Sequence, residues 1–137
     1  MRASRQCLRR LHDELREVIC PEREIRGIFI DEGTKKHIRR RHPYTYKLYF
    51  DKLVEVLREP DYIGIDGLAT GRFELVKWYK DPLLVALKID EQYRVFVSSM
   101  YIIEPSRIKK RIEYGTLKGI EIHKVEHKKN KLHIEIK

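Results

Sequence analysis

Cysteine is scarce in this sequence, and long apolar runs are missing. Among its 137 residues, Cys7 and Cys20 are the only cysteines, and two cysteines at this spacing form no zinc-binding or redox motif. No stretch approaches the roughly 20 consecutive apolar residues that a transmembrane helix needs, and the basic N-terminus lacks the apolar core of a signal peptide. We therefore expect a cytoplasmic protein with reduced thiols and no membrane partner.

Repeats, low-complexity segments and linkers are absent as well, and acidic residues are outnumbered by basic ones. Hydrophobic residues make up 42% of the chain, enough to build a core and to argue against disorder. Residues 1–137 are therefore expected to form a single domain. Lys and Arg number 30 against 21 Asp and Glu, which gives a net charge of +9 and a pI near 9.6. Such an excess favours an anionic partner, with nucleic acid ahead of a membrane surface.

The most informative stretch is the basic segment that runs from Thr34 to Pro43. Its basic and imidazole residues are Lys35, Lys36, His37, Arg39, Arg40, Arg41 and His42. Thr34 is a suitable N-cap and Pro43 disfavours helix at the residue before it, so the segment predicts a helix of about two turns. His37 and His42 do not share a face of such a helix, and they converge only if the chain turns at Pro43. Two imidazoles among fixed cations suit chemistry on a phosphate; the alternative is a solvated basic helix with incidental histidines.

Helical periodicity recurs on both sides of the basic segment. Apolar residues at helical spacing predict one helix over residues 3–19 and another over residues 45–58. A short strand is predicted between the first of these and the basic segment, over residues 24–30. A further short helix is predicted from Pro105 to about Tyr114, because a glycine follows and can cap it.

Strand patterns occupy most of the second half of the chain. Apolar or alternating stretches between turn residues predict strands over residues 62–65, 72–79, 83–89 and 93–101. Their connections are short, which indicates antiparallel neighbours, and residues 119–136 have the pattern of a terminal hairpin. The predicted fold class is α+β, with N-terminal helices packed on a four-stranded antiparallel β-meander, followed by a C-terminal helix and an extra hairpin.

Alternation along two of these strands also predicts which side chains share a face. In the second strand, Lys77 shares a face with Leu75, and Glu74 lies on the opposite face. In the last strand, Ser99 is expected to share a face with Val97.

Five sequence elements follow one another with a recognisable order and spacing. They are Thr34-Lys35-Lys36-His37-Ile38 with His42-Pro43, then Leu57 to Ile63, Phe73 to Lys77, Leu84 to Lys88, and Val97 to Tyr101. Together they resemble the phage-associated Barnase-EndoU-colicin-RelE-like nucleases, although Thr is more usual in that family at the place of Ser99. The resemblance covers about residues 26–117 and leaves the helix over 3–19 and the hairpin over 119–136 as additions.

The resemblance implies two helices followed by a four-stranded antiparallel sheet, and a metal-independent endoribonuclease without a cofactor. Such proteins are toxins or are attached to phage structural proteins, so an acidic antitoxin or immunity protein is an expected partner besides the RNA substrate. In this chemistry a base removes the proton of the 2′-hydroxyl, which attacks its own phosphate, and an acid protonates the leaving 5′-oxygen. Cations hold the extra charge, and the product is a 2′,3′-cyclic phosphate.

The family's site is thought to join the helix histidine to polar residues on the sheet. The predicted catalytic residues are His37, His42, Lys77, Lys88, Ser99 and Tyr101, and the predicted RNA-binding residues are Lys35, Lys36, Arg39, Arg40 and Arg41. His37 is the first choice for acid or base, with His42 second or as the residue that orients the helix break. One of the two lysines would stabilise the charged phosphate, the two hydroxyls would bind its oxygens, and the basic residues would hold flanking phosphates.

Several alternatives stay open at this point. Lys88 could simply end a strand, and Tyr101 could be a core residue with a satisfied hydroxyl. A non-catalytic basic nucleic-acid-binding module would have the same composition. A zinc site can be assembled on paper from His37, His42, His123, His127 and His133. No H-E-x-x-H motif and no pair of cysteines supports such a site, so no metal is predicted.

Overall fold

The computed structural model describes the backbone of residues 5–8, 27–125 and 131–136, and the side chains of residues 27–120. The strands are β1 (Arg5–Leu8), β2 (Gly27–Asp31), β3 (Tyr62–Gly64), β4 (Arg72–Trp78), β5 (Pro82–Ile89), β6 (Arg94–Ile102), β7 (Lys118–Val125) and β8 (Lys131–Ile136). The helices are α1 (Glu32–Arg41), α2 (Pro43–Tyr49), α3 (Leu53–Arg58) and α4 (Pro105–Glu113), and short 3₁₀ turns occupy Phe50–Lys52 and Leu68–Thr70.

The strands lie across one sheet in the order β1-β2-β6-β5-β4-β3-β7-β8. From β3 to β6, each strand pairs antiparallel with the next one along the chain, as expected from the short turns. In contrast, β2 pairs parallel to β6, and β7 extends the sheet beyond β3. The α+β class is confirmed, but the sheet is mixed and larger than the four-stranded antiparallel sheet that we predicted. Turn lengths report only on strands that are consecutive in sequence, so they could not predict the pairing of β2.

The beginning of the chain departs from the predicted helix over residues 3–19. Residues 5–8 form β1, which pairs antiparallel with β2, and the other residues of that prediction lie outside the described part. A strand edge offers unpaired N–H and C=O groups to any extended segment, and a helical apolar stripe carries no information about such an edge.

The other helices are present with shifted boundaries. α1 begins at Glu32 after the extended residue Asp31, so Thr34 lies inside the first turn and is not the N-cap. The helix predicted over residues 45–58 is divided into α2, a 3₁₀ turn and α3. Of these, α2 begins at Pro43, because proline is well suited to the first position of a helix. Near the C-terminus, β7 and β8 form the predicted hairpin.

The two faces of the sheet are covered to different extents. The core between the sheet and the helices α1 to α3 includes Ile38, Leu53, Leu57, Leu75, Val85 and Val97. On the opposite face, α4 packs through Ile108 on a smaller cluster that contains Val76, Leu84, Ile103 and Leu117. This second face retains partly or fully exposed side chains on β4, β5 and β6; we call it the open face and define it by Glu74, Ala86, Lys88, Ser99 and Tyr101.

A β-bulge in β6 decides which of its residues belong to the open face. Leu87 pairs with Val97, whereas Ala86 pairs with Ser99. Ser98 is therefore an extra residue, and its hydroxyl donates to the Ala86 carbonyl oxygen at 3.1 Å. Since side chains alternate along a strand and a bulge adds one residue, Ser99 lies on the face opposite to Val97. The prediction that these two residues share a face is wrong for this reason.

Candidate active site

His42 lies at the corner between α1 and α2. Proline disfavours helical geometry at the residue before it, and His42 has φ −134° and ψ 62°. Its N–H donates to the carbonyl oxygen of Ile38 at 2.8 Å. At this corner the imidazole stacks on Tyr101 of β6, with ring centroids 5.4 Å apart and ring planes at 28°. The turn at Pro43 thus brings a histidine from the helix layer to the open face.

Three strands supply a row of side chains beside Tyr101. Glu74 of β4 pairs with Ala86 of β5, and Ala86 pairs with Ser99 of β6. Because neighbouring strands are about 4.8 Å apart, the two ends of this row are separated by roughly 10 Å. Ala86 carries only a methyl group, so the row is low in the middle. A phosphate above Ala86 would have the Glu74 carboxylate on the β4 side and Ser99 on the β6 side, with Tyr101 and the stacked His42 two residues further along β6.

An arginine from α4 holds the Glu74 carboxylate. Arg111 Nη2 is 2.6 Å from Glu74 Oε1, and the two side chains are only 23% and 29% exposed. The same guanidinium donates through Nε to Thr116 Oγ1 at 3.1 Å and through Nη2 to the Thr116 carbonyl oxygen at 3.2 Å. Arg111 is therefore fixed in position before any ligand binds.

Gly64 of β3 lies directly beneath this ion pair. A Cβ atom at position 64 would be 3.0 Å from Glu74 Oε1 and 3.2 Å from Arg111 Nη2. Both distances are shorter than an ordinary van der Waals contact, and the Thr116 carbonyl oxygen would be equally close at 3.0 Å, so a larger residue would push these neighbours away by a few tenths of an ångström. The glycine is thus needed for close approach, and its φ angle is not the reason.

The environment of His42 disfavours its charged form. Burial lowers the pKa of this imidazole from its usual 6.5, and the positive charges of His37 and Arg41 lower it further. The free protein therefore carries a mostly neutral His42 at pH 7. A bound phosphate would act in the opposite direction, because a nearby negative charge favours the imidazolium.

Tyr101 lies within the electric field of three charged neighbours. Burial raises the pKa of its hydroxyl and the Glu74 carboxylate raises it further, while Arg111 and Arg107 act in the opposite direction. The net shift is upward, so the hydroxyl stays protonated and can donate a hydrogen bond to a phosphate oxygen. Arg107 is exposed on α4 and adds a second guanidinium beside the open face.

Four of the six residues predicted to be catalytic lie on or beside the open face. His42 stacks on Tyr101, Ser99 belongs to the row with Glu74, and Lys88 is exposed one row further along β5. His37 is exposed on α1, and it acts on His42 through its charge. Among the described contacts, His42 is the histidine that touches the sheet.

Lys77 lies on the other side of the sheet from this group. It shares the helix-covered face with Leu75, and its Nζ donates to the Glu59 carbonyl oxygen at 2.8 Å. Glu59 immediately follows α3, where the helix dipole favours a cation. This position gives Lys77 a structural role at the end of α3 and separates it from the open face.

Replacing Lys77 with methionine should reduce stability by about 0.3–1 kcal/mol, the usual contribution of a cation at a helix C-terminus, and leave the kcat of the nuclease activity expected from the resemblance unchanged. Urea unfolding and a cleavage assay on the same preparation measure the two effects, with Lys88→Met as the matched variant on the open face. A loss of kcat at unchanged stability in Lys77→Met would show that the lysine contacts the substrate.

α1 presents a basic surface next to the corner. Lys36, Arg40 and Arg41 are exposed, and so is Arg39, whose guanidinium lies 5.7 Å from the ring centroid of Tyr46. Lys35 is partly buried, with its Nζ 4.0 Å from a carboxylate oxygen of Glu32. Exposed cations of this kind attract a polyanion without fixing one geometry.

Sequence reasoning missed Glu74, Arg107 and Arg111 as members of the site. Alternation along β4 correctly separates Glu74 from Lys77, and a carboxylate between apolar neighbours in a strand needs a partner. That need is the signal that could have identified Glu74. Arg107 and Arg111 lie in a short helix, and no local pattern predicts which strand such a helix covers.

Neither a metal site nor a membrane span is found among the described residues. The described side chains contain no group of three or more His, Cys, Asp or Glu suited to a metal ion. The side chains of His123, His127 and His133 lie outside this part of the chain. In the same part of the chain, every helix is too short or too polar to cross a membrane.

Comparison with known proteins gives one informative match. No curated protein and no solved structure matches the chain. A family model described as phage-Barnase-EndoU-ColicinE5/D-RelE like nuclease matches residues 13–110 of the 137, a span that contains His42, Glu74 and Tyr101. Since this match covers more than half of the chain, the protein belongs to the family of phage-Barnase-EndoU-ColicinE5/D-RelE like nucleases.

Proposed function

We propose that this protein is a metal-independent endoribonuclease in which Glu74 and His42 are the acid-base pair. Membership of a nuclease family supports a nucleic-acid substrate. The observation that carries the mechanism is a carboxylate on β4 and an imidazole stacked on a ring of β6, the two strands that flank β5 and Ala86. The attacking and leaving oxygens of phosphoryl transfer lie roughly in line, so a base and an acid on opposite sides of the phosphate suit the reaction. His37 and His42 would suit this reaction less well as an acid-base pair, because α1 and its C-terminal corner supply both of them.

In the proposed reaction, Glu74 is the base. Its Oε1 already accepts from Arg111, so we assign Oε2 to the proton of the substrate 2′-hydroxyl. The 2′-oxygen attacks the adjacent phosphorus, and the protonated imidazole of His42 donates its proton to the departing 5′-oxygen. The fragments then carry a 2′,3′-cyclic phosphate and a 5′-hydroxyl.

The remaining groups of the open face stabilise the charge that develops on the phosphate. Arg111 is held in place by Thr116, and prepositioned donors of this kind need no reorganisation during the reaction. Arg107 and the hydroxyl groups of Tyr101 and Ser99 lie on or beside the same open face and are assigned to the phosphate oxygens as well. Lys88 is one row away and is assigned to a neighbouring phosphate.

α1 provides the binding surface for the rest of the RNA in this proposal. Its residues Lys35, Lys36, Arg39, Arg40 and Arg41 contact flanking phosphates without reading sequence. His37 keeps the pKa of His42 low and transfers no proton itself. If the protein is a toxin, an acidic antitoxin or immunity protein that covers α1 and the open face would block binding and cleavage together.

Incubation of the purified protein with total RNA in EDTA tests the function directly. Cleavage should persist in EDTA, the fragments should end in cyclic phosphate, and DNA should bind without being cut. His42→Ala prepared in the same way excludes a contaminating ribonuclease. Metal-dependent cleavage of DNA would overturn the mechanism, and RNA binding without cleavage at any pH would favour a non-catalytic basic module.

The salt dependence of RNA binding should depend on α1. Replacing Arg39, Arg40 and Arg41 together by alanine should reduce the slope of log affinity against log salt by up to about 2, because each phosphate contact on a single strand contributes about 0.7. Fluorescence anisotropy across a salt series measures the slope. The control removes two exposed cations elsewhere, Arg58→Ala with Lys80→Ala, and an equal change in slope per removed charge in both proteins would mean that α1 is not the contact surface.

A further inference from the structure

A stripe of three side chains begins at the proposed phosphate site and runs along α4 to Tyr114, the C-cap residue that follows it with helical φ and ψ. The charges of Arg107 and Arg111 both reach Tyr101, so this side of the helix borders the open face. Tyr114 follows Arg111 by three positions and Arg107 by seven, which is the spacing of residues on one face of a helix. Its Cα lies about 4.5 Å beyond that of Arg111 along the helix axis. The stripe therefore leads from the phosphate site to a tyrosine.

Tyr114 is unusually exposed for an aromatic residue. It is 78% exposed, more than any other large hydrophobic side chain of residues 27–120. Burying an aromatic ring is worth several kcal/mol in general, about 25 cal/mol per Å², and this ring gains little of that from residues 27–120. Packing within this described part of the chain therefore does not explain the tyrosine.

The backbone that carries Tyr114 is held rigidly. Gly115 has φ 78°, its N–H donates to the Ile112 carbonyl oxygen at 3.1 Å, and the Thr116 N–H donates to the Arg111 carbonyl oxygen at 2.8 Å. These two bonds form a Schellman motif, which fixes the end of a helix. Thr116 also binds the Arg111 guanidinium. One turn thus fixes both the arginine of the phosphate site and the backbone beside the exposed ring.

We propose that Tyr114 stacks on the base of a nucleotide next to the scissile phosphate, so that the enzyme acts on unpaired RNA. This inference rests on the proposed function, because Arg107 and Arg111 are what locate the scissile phosphate near the stripe. Every base has a π face, so stacking on an aromatic ring tolerates any sequence. In a paired A-form helix the bases are stacked inside and cannot reach the ring. Because the backbone beside the ring is already held, binding needs to order little more than the side chain, which limits the loss of conformational entropy.

The test uses a single-stranded RNA oligonucleotide with one mapped cleavage position. Tyr114→Ala should lower kcat/KM by about 5- to 150-fold, the range that corresponds to the usual stacking contribution per base, and mainly through KM. Tyr114→Phe keeps the ring and should match the wild type. Ile112→Ala, an exposed residue of the same helix outside the stripe, is the matched control and should also match the wild type.

A change in the substrate identifies the stacked base. An abasic nucleotide on one side of the scissile phosphate should slow the wild type by the same factor as Tyr114→Ala, and it should slow Tyr114→Ala no further. Annealing a complementary strand should suppress cleavage by the wild type. Equal kcat/KM for Tyr114→Ala and the wild type, or equal losses of both proteins on the abasic substrate, would overturn the platform and leave the nuclease proposal intact.

Absence of cleavage by the wild type would contradict the proposed function separately. In that case, stacking on Tyr114 is tested by measuring the affinity of the same variants for a fluorescein-labelled 2′-O-methyl RNA oligonucleotide. Weaker binding by Tyr114→Ala that is restored in Tyr114→Phe supports stacking, and unchanged binding by Tyr114→Ala overturns it.

Discussion

Replacing His42 with alanine should slow RNA cleavage by about 10²- to 10⁴-fold, the usual effect of losing a general acid or base, and leave RNA binding nearly unchanged. Binding should survive because the imidazole is mostly neutral at pH 7 and the cations of α1 and α4 remain. Single-turnover kinetics and anisotropy on the same preparation separate the two quantities. His37→Ala is the matched control, and its effect should be much smaller because His37 acts on His42 only through charge.

The pH dependence distinguishes the role of His42 from a structural one. As the acid it must be protonated, and its pKa in the free protein lies below 6.5. The value of kcat/KM, which reports ionisations of the free enzyme, should therefore fall by about tenfold per pH unit above that pKa. In His37→Ala this descending limb should move to higher pH, because one of the charges that lower the pKa is gone. A rate that rises through the same range and loses that rise in His42→Ala would identify His42 as the base instead.

Replacing Glu74 with glutamine should lower kcat by about 10²- to 10⁴-fold, since the amide keeps the shape of the side chain but cannot accept the proton of the 2′-hydroxyl. RNA binding should stay equal or become tighter, because a negative charge next to the bound phosphate is removed. Glu55→Gln is the matched control: it changes a carboxylate that accepts from Tyr79 and belongs to α3, on the helix-covered face. Full activity of Glu74→Gln would exclude Glu74 as the base.

Gly64→Ala complements this test without removing any charged group. Its Cβ would shift the pair of Glu74 and Arg111 by a few tenths of an ångström, so kcat should fall to a value between those of the wild type and Glu74→Gln. Urea unfolding and circular dichroism show whether each variant is folded. Wild-type kcat in a folded Gly64→Ala protein would mean that the geometry of the ion pair is not needed for the reaction.

The sequence by itself determined the local features of this protein. Pro43 ends α1 and takes His42 out of the helix, because a residue before proline avoids helical geometry. Short turns specify antiparallel pairing from β3 to β6, and the alternation along β4 separates Glu74 from Lys77. Each of these features depends on residues that are close together in the chain. For such residues, backbone sterics and side-chain periodicity are sufficient to predict the local structure.

The tertiary structure decided which of these features meet. An extra residue at Ser98 moves Ser99 to the open face, and one inserted residue in an alternating strand leaves no distinct sequence pattern. The parallel pairing of β2 with β6 joins segments that are about half the length of the chain apart, since Gly27 pairs with Arg94. Arg111 reaches Glu74 only because α4 packs on the face opposite to α1, α2 and α3. Contacts between distant segments depend on which faces are buried together, and that is a property of the whole core and not of any one stretch.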